Sequence, residues 1–172
     1  MATNATIPQQ IMDYSLYSGT KKLFGMGETL TLPDIVFKTM TATLSSGDID
    51  LPSLMTENLE QEFLFNVLDK SLGSAISFTT AAKFTVRAAV QHTNASTHSL
   101  EYKQIKVEYK GFPKQIKLGE LKRADKMDSG ITLSLSYIKV TVDSAELLEI
   151  DKLNNVIKVN GIDIRSKISD LL

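Results

Sequence analysis

Cysteine and tryptophan are both absent from the 172 residues, and each absence closes off a class of function. Without cysteine there are no disulfides, no thiolate metal sites and no thiol nucleophile, and nothing marks the chain for an oxidising compartment. Without tryptophan, and with five Tyr and seven Phe scattered along the chain, the aromatic platforms of a carbohydrate- or peptide-binding cleft are poorly supplied. No apolar run approaches the roughly 20 residues that cross a bilayer, and the start MATNATIPQQ lacks a basic segment followed by an apolar stretch. A soluble chain retained in the cytoplasm, with no membrane anchor, is the expectation. The two histidines, His92 and His98, flank Thr93 to Thr97 without nearby acids, which does not make a specific zinc or iron site. There is no phosphate-cradling G-x-x-x-x-G-K-[ST] or G-x-G-x-x-G, and no serine sits in a G-x-S-x-G turn. Asp48-x-Asp50 has its glycine before the acids and no glutamate at calcium-loop distance, so a turn is the better account. Neither an enzyme nor a cofactor is expected.

Net charge is also nearly missing, at a formal −1, but its distribution is uneven. Residues 1–80 hold four lysines against nine acids, a balance of −5, whereas residues 101–127 hold eight bases against four acids, a balance of +4. Such opposition suits head-to-tail self-association, with Lys122, Arg123 and Lys126 as the basic contribution. Lysine and glutamate alternating on the outer face of a strand is ordinary solvation, so specific nucleic-acid binding is not expected despite Tyr102, Tyr109 and Phe112 nearby.

What is present is alternation. Phe84, Val86, Ala88 and Val90 alternate with polar residues, as do Ile105, Val107 and Tyr109 up to Gly111-Phe112-Pro113. Met40, Ala42 and Leu44 alternate with Thr39, Thr41 and Thr43. Ser45-Ser46-Gly47-Asp48 turns the chain, and Ile49 and Leu51 follow until Pro52, which reads as a long hairpin. Phe63, Phe65 and Val67 read as a core-facing side, with Glu60 and Glu62 opposite. Leu68, Leu72 and Ile76 predict a short helix ending near Phe78 with Asp69 at its N-terminus. The opening residues through Gln10 read as an arm ordered only by a partner, followed by a short strand over Tyr14 to Tyr17. Lys117 to Gly130 reads as a loop, mobile or ordered by a neighbouring chain. Ser166 can cap a last helix in which Ile168, Leu171 and Leu172 share a side. The chain is read as one domain over residues 1–172, with an arm at 1–12 and a short helix at 165–172.

The richest stretch is Ile131 to Ile164. Ile131, Leu133, Leu135 and Tyr137 are apolar at odd positions. After Tyr137 the phase flips to Ile138, Val140 and Val142, so a bulge or a barrel corner is expected there. These twelve extended residues span roughly 40 Å at about 3.3 Å each. Asn160-Gly161 between Val159 and Ile162 is a two-residue hairpin turn. The total is about eight strands and one or two short helices, an antiparallel β-sandwich or partly closed barrel. The number of long, Thr/Lys-edged strands is high for a small chain, and such edges call for pairing with another chain.

The segment LSLSYIKVTVDSAELLEIDKLNNVIKVNGIDI resembles the C-terminal block of the major tail tube proteins of contractile-tailed phages. There a serine-aromatic strand, an E-L-x-E-I-D turn and a V-N-G hairpin follow one another; the match covers about a fifth of the chain. The resemblance implies a structural subunit of a phage tail or a phage-tail-like bacteriocin, assembled in the host bacterial cytoplasm. Six copies would close a ring whose inner wall is a continuous β-barrel. Rings would stack inside a sheath around a tape-measure protein, with baseplate and tail terminator proteins as further partners. The lumen would conduct DNA without binding it, or the tube would pierce a target envelope. Glu60 and Glu62 with Thr39, Thr41 and Thr43 are the lumen candidates, because acidic and neutral polar walls do not hold phosphates. The hairpin tip, Ser45, Ser46, Gly47 and Asp48, is the candidate contact to the next ring. The competing reading is a monomeric β-sandwich binding module.

Overall fold

The main sheet turns on its longest apolar strand, β8 (Ser129–Val142). In the computed structural model, which describes residues 5–171, one edge of β8 pairs throughout with β7 (Leu100–Lys117). Its other edge changes partner along the way. Ser129 to Ser134 face β5 (Glu60–Phe65), and Tyr137 to Val142 face β9 (Ala145–Asp151). The phase flip has a structural cause at this junction. Lys110 pairs with Tyr137 while the next residue, Gly111, pairs with Leu135, so Ser136 is one residue too many and forms a bulge. Leu135 and Ile138 are consequently both buried although their parities differ. Ser136 Oγ donates to the Lys110 carbonyl (3.2 Å), and the Ser136 carbonyl accepts the Lys152 amide (2.9 Å), which closes the bulge on both sides. Gly111 is required there, since a Cβ would lie 2.5 Å from the Ser134 carbonyl oxygen.

The strands run antiparallel in the order β11 (Ile162–Asp163), β10 (Val156–Val159), β9, β8, β7, β6 (Ala82–Asn94), β1 (Thr6–Ser18), β2 (Lys21–Leu23), with β5 branching from β8. β3 (Phe37–Leu44) and β4 (Gly47–Thr56) form a separate two-stranded sheet. The architecture is mainly β and sandwich-like, carries two short helices, and does not close into a barrel. One face of the main sheet builds the core from Leu16, Phe84, Tyr109, Ile138 and Ile150, with Phe63 of β5 tilted against Phe84 and edge-on to Tyr109 at centroid distances of 5.1 and 5.5 Å. Full burial of each such side chain stabilises by about 1.5–3 kcal/mol, an upper estimate. The lower half of that face is covered by β5, by α1 (Lys70–Ala75) and by residues 28–36, where Gln61 Nε2 donates to the Thr31 carbonyl (2.9 Å). Asp69 caps α1, and the hydroxyl and amide of Ser71 hold its carboxyl below its ordinary range.

Several expectations need correction. Thr6–Gln10 are not an arm: they belong to β1 and pair with Asn94 to Gln91 of the same chain; residues 1–4 lie outside the described residues. The strand expected at Tyr14 to Tyr17 is only the end of β1. Val67 is exposed, because β5 stops at Phe65, and α1 ends at Ala75 rather than near Phe78. Pro52 and Pro113 do not end their strands. Pro113 lies beside a second bulge, before Gln115, where the ladder needs no amide from it. The segment Glu146 to Asp151, expected to be a turn, is strand β9, and the reversal occurs one step earlier at Asp143-Ser144, both at positive φ. Asn160-Gly161 turns as expected, with φ of 50° and 77°. α2 (Ser166–Ser169) is preceded by Arg165 without a side-chain cap; Ser166 Oγ donates to Asp163, and Leu172 lies outside the described residues.

Candidate assembly surfaces

The β3–β4 hairpin stands apart from the main sheet. Its register, Met40↔Leu51, Ala42↔Ile49 and Leu44↔Gly47, puts one apolar set on one face. Thr39↔Pro52, Thr41↔Asp50 and Thr43↔Asp48 make the other face polar, with Thr41 Oγ1 donating to Asp50 (2.7 Å). Only the base of the hairpin is held. Leu54 to Thr56 lie against Ile150 to Lys152, Glu57 N–H donates to Val36 (2.8 Å), and Lys152 Nζ donates to the Glu57 carbonyl (2.7 Å). The alternation expected to mark a packed face is therefore left open within one chain: Met40 is 65% exposed and Leu44 55%. The turn Ser45-Ser46-Gly47-Asp48 is at the exposed tip, with Gly47 at φ 132°.

Two further surfaces are unfinished. β2 pairs only with Leu16 to Ser18, so the outer edge of β1 from Thr6 to Ser15 has no strand partner among the described residues. Register shifts at Pro8/Gln10 and Ile11/Asp13 roughen that edge, a common guard against indiscriminate pairing. At the sheet end formed by α1 and residues 118–128, Phe24, Val67, Phe78 and Leu121 are exposed, Leu121 to 90%.

The sequence-predicted residues are only partly brought together. Glu60 and Glu62 project from the outward face of β5, opposite the buried Gln61 and Phe63. Glu60 is engaged by Lys114. Thr39, Thr41 and Thr43 are on the hairpin, a different sheet, so the two groups of lumen candidates do not form one cluster within a chain. The basic residues also find partners inside the chain. Lys126 meets Glu28 at 3.3 Å and Lys122 meets Glu120 at 3.9 Å, while Arg123 is exposed on the same loop. The loop itself is tied down, by Met127 N–H to the Asn66 carbonyl (2.6 Å) and Glu120 N–H to Met127 (2.8 Å).

A charged ladder on the outer face of β8–β10 was not anticipated, because reading β9 as a turn hid its partners. Glu149 accepts from Tyr137 (2.9 Å) and Lys158 (3.0 Å), and Lys139 pairs with Glu146 at 2.8 Å. Partial burial alone would raise the Glu149 carboxyl, but these bonds and the nearby ammonium groups bring it below the usual range. The Tyr137 hydroxyl is pushed up by burial and by Glu149, and the bond to Glu146 holds the Lys139 ammonium above its ordinary value. His92 lies within β6 rather than in a loop, with Nδ1 buried and unpartnered, while His98 sits in the turn at φ 55°. Asn94 is buried and caps that turn through the amides of Ser96 and Thr97.

The fold is similar to those of two solved tube-end proteins of contractile injection systems. The sheath/tube terminator of the extracellular contractile injection system PVC superposes with a TM-score of 0.53 at 14% identity, over 78% of this chain and 96% of that one. The tube-terminating cap of the anti-feeding prophage does so at 0.50 and 14%, over 82% and 94%. In sequence, the tail tube protein of Escherichia phage P2 is 39% identical over 59 residues, a stretch that spans 34% of either chain. The profile of the phage tail tube protein FII family matches residues 8–171. The chain belongs to that family, whose members are structural tail tube proteins.

Proposed function

We propose that this chain is the ring-forming subunit of the inner tube of a contractile tail. Six copies close a ring with a continuous β wall, and rings stack into a hollow tube inside a sheath, around a tape-measure protein, between baseplate and terminator. The tube conducts DNA or pierces a target envelope, and the particle assembles in the host cytoplasm. One observation carries this reading beyond family membership: among the described residues, a strand edge, Thr6 to Ser15, has no partner strand, and an amphipathic hairpin has no layer over its apolar face. Ring closure pairs such edges and removes them from water.

Glu60, Glu62, Thr39, Thr41 and Thr43 are assigned to the lumen side, where acidic and neutral groups let phosphates pass. They come from two sheets, so a common wall requires that neighbouring copies interleave. The tip Ser45 to Asp48 is assigned to the adjacent ring, and Lys122, Arg123 and Lys126 to acidic residues of a neighbour, in addition to the internal pairs of Lys122 and Lys126. Negative-stain electron microscopy of the purified protein tests the reading. Rings or tubes are expected; uniformly small particles across a range of protein and salt concentrations would refute it.

A further inference from the structure

One amine in the fold is placed for covalent chemistry. Lys152 is the first residue of the turn between β9 and β10, where its amide donates to the Ser136 carbonyl (2.9 Å). Its side chain crosses to the end of β4, and Nζ donates to the Glu57 carbonyl (2.7 Å). There it lines a cavity of about 150 Å³ with Leu54, Met55, Ile150 and Ile157. Asn155 and Arg165 complete the lining, and Arg165 Nη1 donates to Asn155 Oδ1 (3.5 Å). Other lysines of β8 to β10 are neutralised in pairs, Lys139 by Glu146 at 2.8 Å and Lys158 by Glu149 at 3.0 Å. Lys152 has no ion pair among the described residues. The carboxyl of Asp151 beside it is taken up by its own turn, accepting from the amides of Leu153 and Asn154 and from Asn154 Nδ2. Burial first, and the Lys38 ammonium on β3 second, hold the Lys152 ammonium below its ordinary value. Once it gives up a proton, such an amine can keep one N–H on the Glu57 carbonyl and still have a lone pair free for attack.

We propose that Lys152 is an acylation site whose donor is a small acyl phosphate. The donor's phosphate lies on the Arg165 guanidinium, whose planar N–H groups match phosphate oxygens, and its short acyl chain lies against Leu54 and Ile157. Nζ attacks the acyl carbon, the bond from that carbon to the phosphate oxygen breaks, and inorganic phosphate leaves with the electron pair. The proton lost by the amine passes to solvent. The product is a neutral amide that has lost the ammonium charge, and its acyl group fills the space between the hairpin base and the sheet. Acylation thereby loosens the seat of β4 on β9 and β10, next to the Glu57 amide that donates to the Val36 carbonyl (2.8 Å). Every group involved belongs to one chain, so the inference does not depend on the tube reading.

The purified chain, folded or in urea, is incubated with acetyl phosphate, and acetylation is read residue by residue by peptide mass spectrometry. In the folded chain Lys152 is expected to react at least about tenfold faster than the exposed Lys122 and the paired Lys139, the effect of one pKa unit. In urea, where the cavity is gone, the advantage should vanish. Inorganic phosphate should slow the reaction at Lys152 and not at Lys122. Arg165→Gln should slow it with acetyl phosphate and leave the rate with a neutral acetyl ester unchanged. Hydrogen exchange at the Glu57 amide should quicken when the wild-type chain is acetylated and stay constant in Lys152→Arg, which cannot be modified there. Equal rates at Lys152 and Lys122 in the folded chain overturn the site. Indifference of Lys152 to both inorganic phosphate and Arg165→Gln overturns the acyl phosphate as donor, and unchanged exchange at Glu57 overturns the coupling to the hairpin base.

Discussion

Deleting Ser136 is a direct probe of how β8 serves two sets of partners, because the strand should close up without turning. Leu135 already lies opposite Gly111 and Tyr137 opposite Lys110, so the ladder with β7 runs in step and Ile138 and Val140 keep their inward face. The loss is confined to the Ser136 hydroxyl bond to the Lys110 carbonyl and the Lys152 amide bond to the Ser136 carbonyl, about 0.5–1.5 kcal/mol each. A serine inserted after Ser136 does the opposite and moves every side chain beyond it to the other face. Ile138, now 2% exposed, would turn to the outer side, at a cost of about 1.5–3 kcal/mol. Val140 would follow, losing about 1 kcal/mol for a half-buried side chain. Lys139 and Thr141 would turn inward with no partner, at a further cost of about 1–3 kcal/mol. The bonds Tyr137–Glu149 and Lys139–Glu146 would be lost, roughly 0.5–1.5 kcal/mol each. The total for the insertion, about 4.5–10 kcal/mol, is comparable with the whole stability of a typical domain of roughly 5–15 kcal/mol. Ser136→Ala is the control: it keeps the bulge and loses one partly exposed hydrogen bond, about 1 kcal/mol and a few degrees of Tm. Circular dichroism melts in urea and on heating decide it. If the insertion variant melts within about 4 °C of Ser136→Ala, or the deletion variant melts as low as the insertion, the bulge does not set the phase of β8, and the reasoning fails.

Other outcomes follow from the same structure. Leu135→Asp is expected to unfold the chain, and Lys139→Asp, which alternation alone would rate as mild, should cost about 1–3 kcal/mol by setting a third acid beside Glu146 and Glu149; a urea midpoint equal to wild type would refute this. Tyr109 buries a hydroxyl without a partner, so Tyr109→Phe should leave stability unchanged or raise it by up to about 1 kcal/mol; a clear loss in the same melt would show that the hydroxyl is bonded. Glu149 is held below its unfolded value, so its contribution is complete above about pH 4.3 and is lost as pH falls through its folded pKa; Glu149→Gln should flatten the fall of Tm with acid in that window. Removing the tip Ser45 to Asp48 should leave far-ultraviolet dichroism unchanged and abolish polymerisation. Loss of the folded signal would instead place the hairpin in the subunit's own core.

What the sequence determined by itself was local. Alternation is a property of neighbouring residues, so the faces of β6, β7 and β8, the hairpin about Ser45-Ser46 and the Asn160-Gly161 turn were all legible, as was the phase flip after Tyr137. The helix cap at Asp69 was legible for the same reason, since the Ser71 amide it binds is two residues away. Ordered strands and turns over Leu133 to Ile164 were enough to indicate the family. What only the tertiary structure decided depends on residues far apart in the chain. That the flip is a bulge, and not a corner closing a barrel, follows from β8 exchanging β5 for β9 along one edge while β7 stays on the other. That Thr6–Gln10 form a strand follows from the amides of β6, which need partners some 80 residues away in sequence and find them there. That Lys139 is needed follows from Glu146 across the ladder, and that Met40 and Leu51 are exposed follows from the absence of any layer over them among the described residues. A periodic pattern states which side chains share a face; only the packed neighbours determine whether that face is covered by the same chain or awaits another copy.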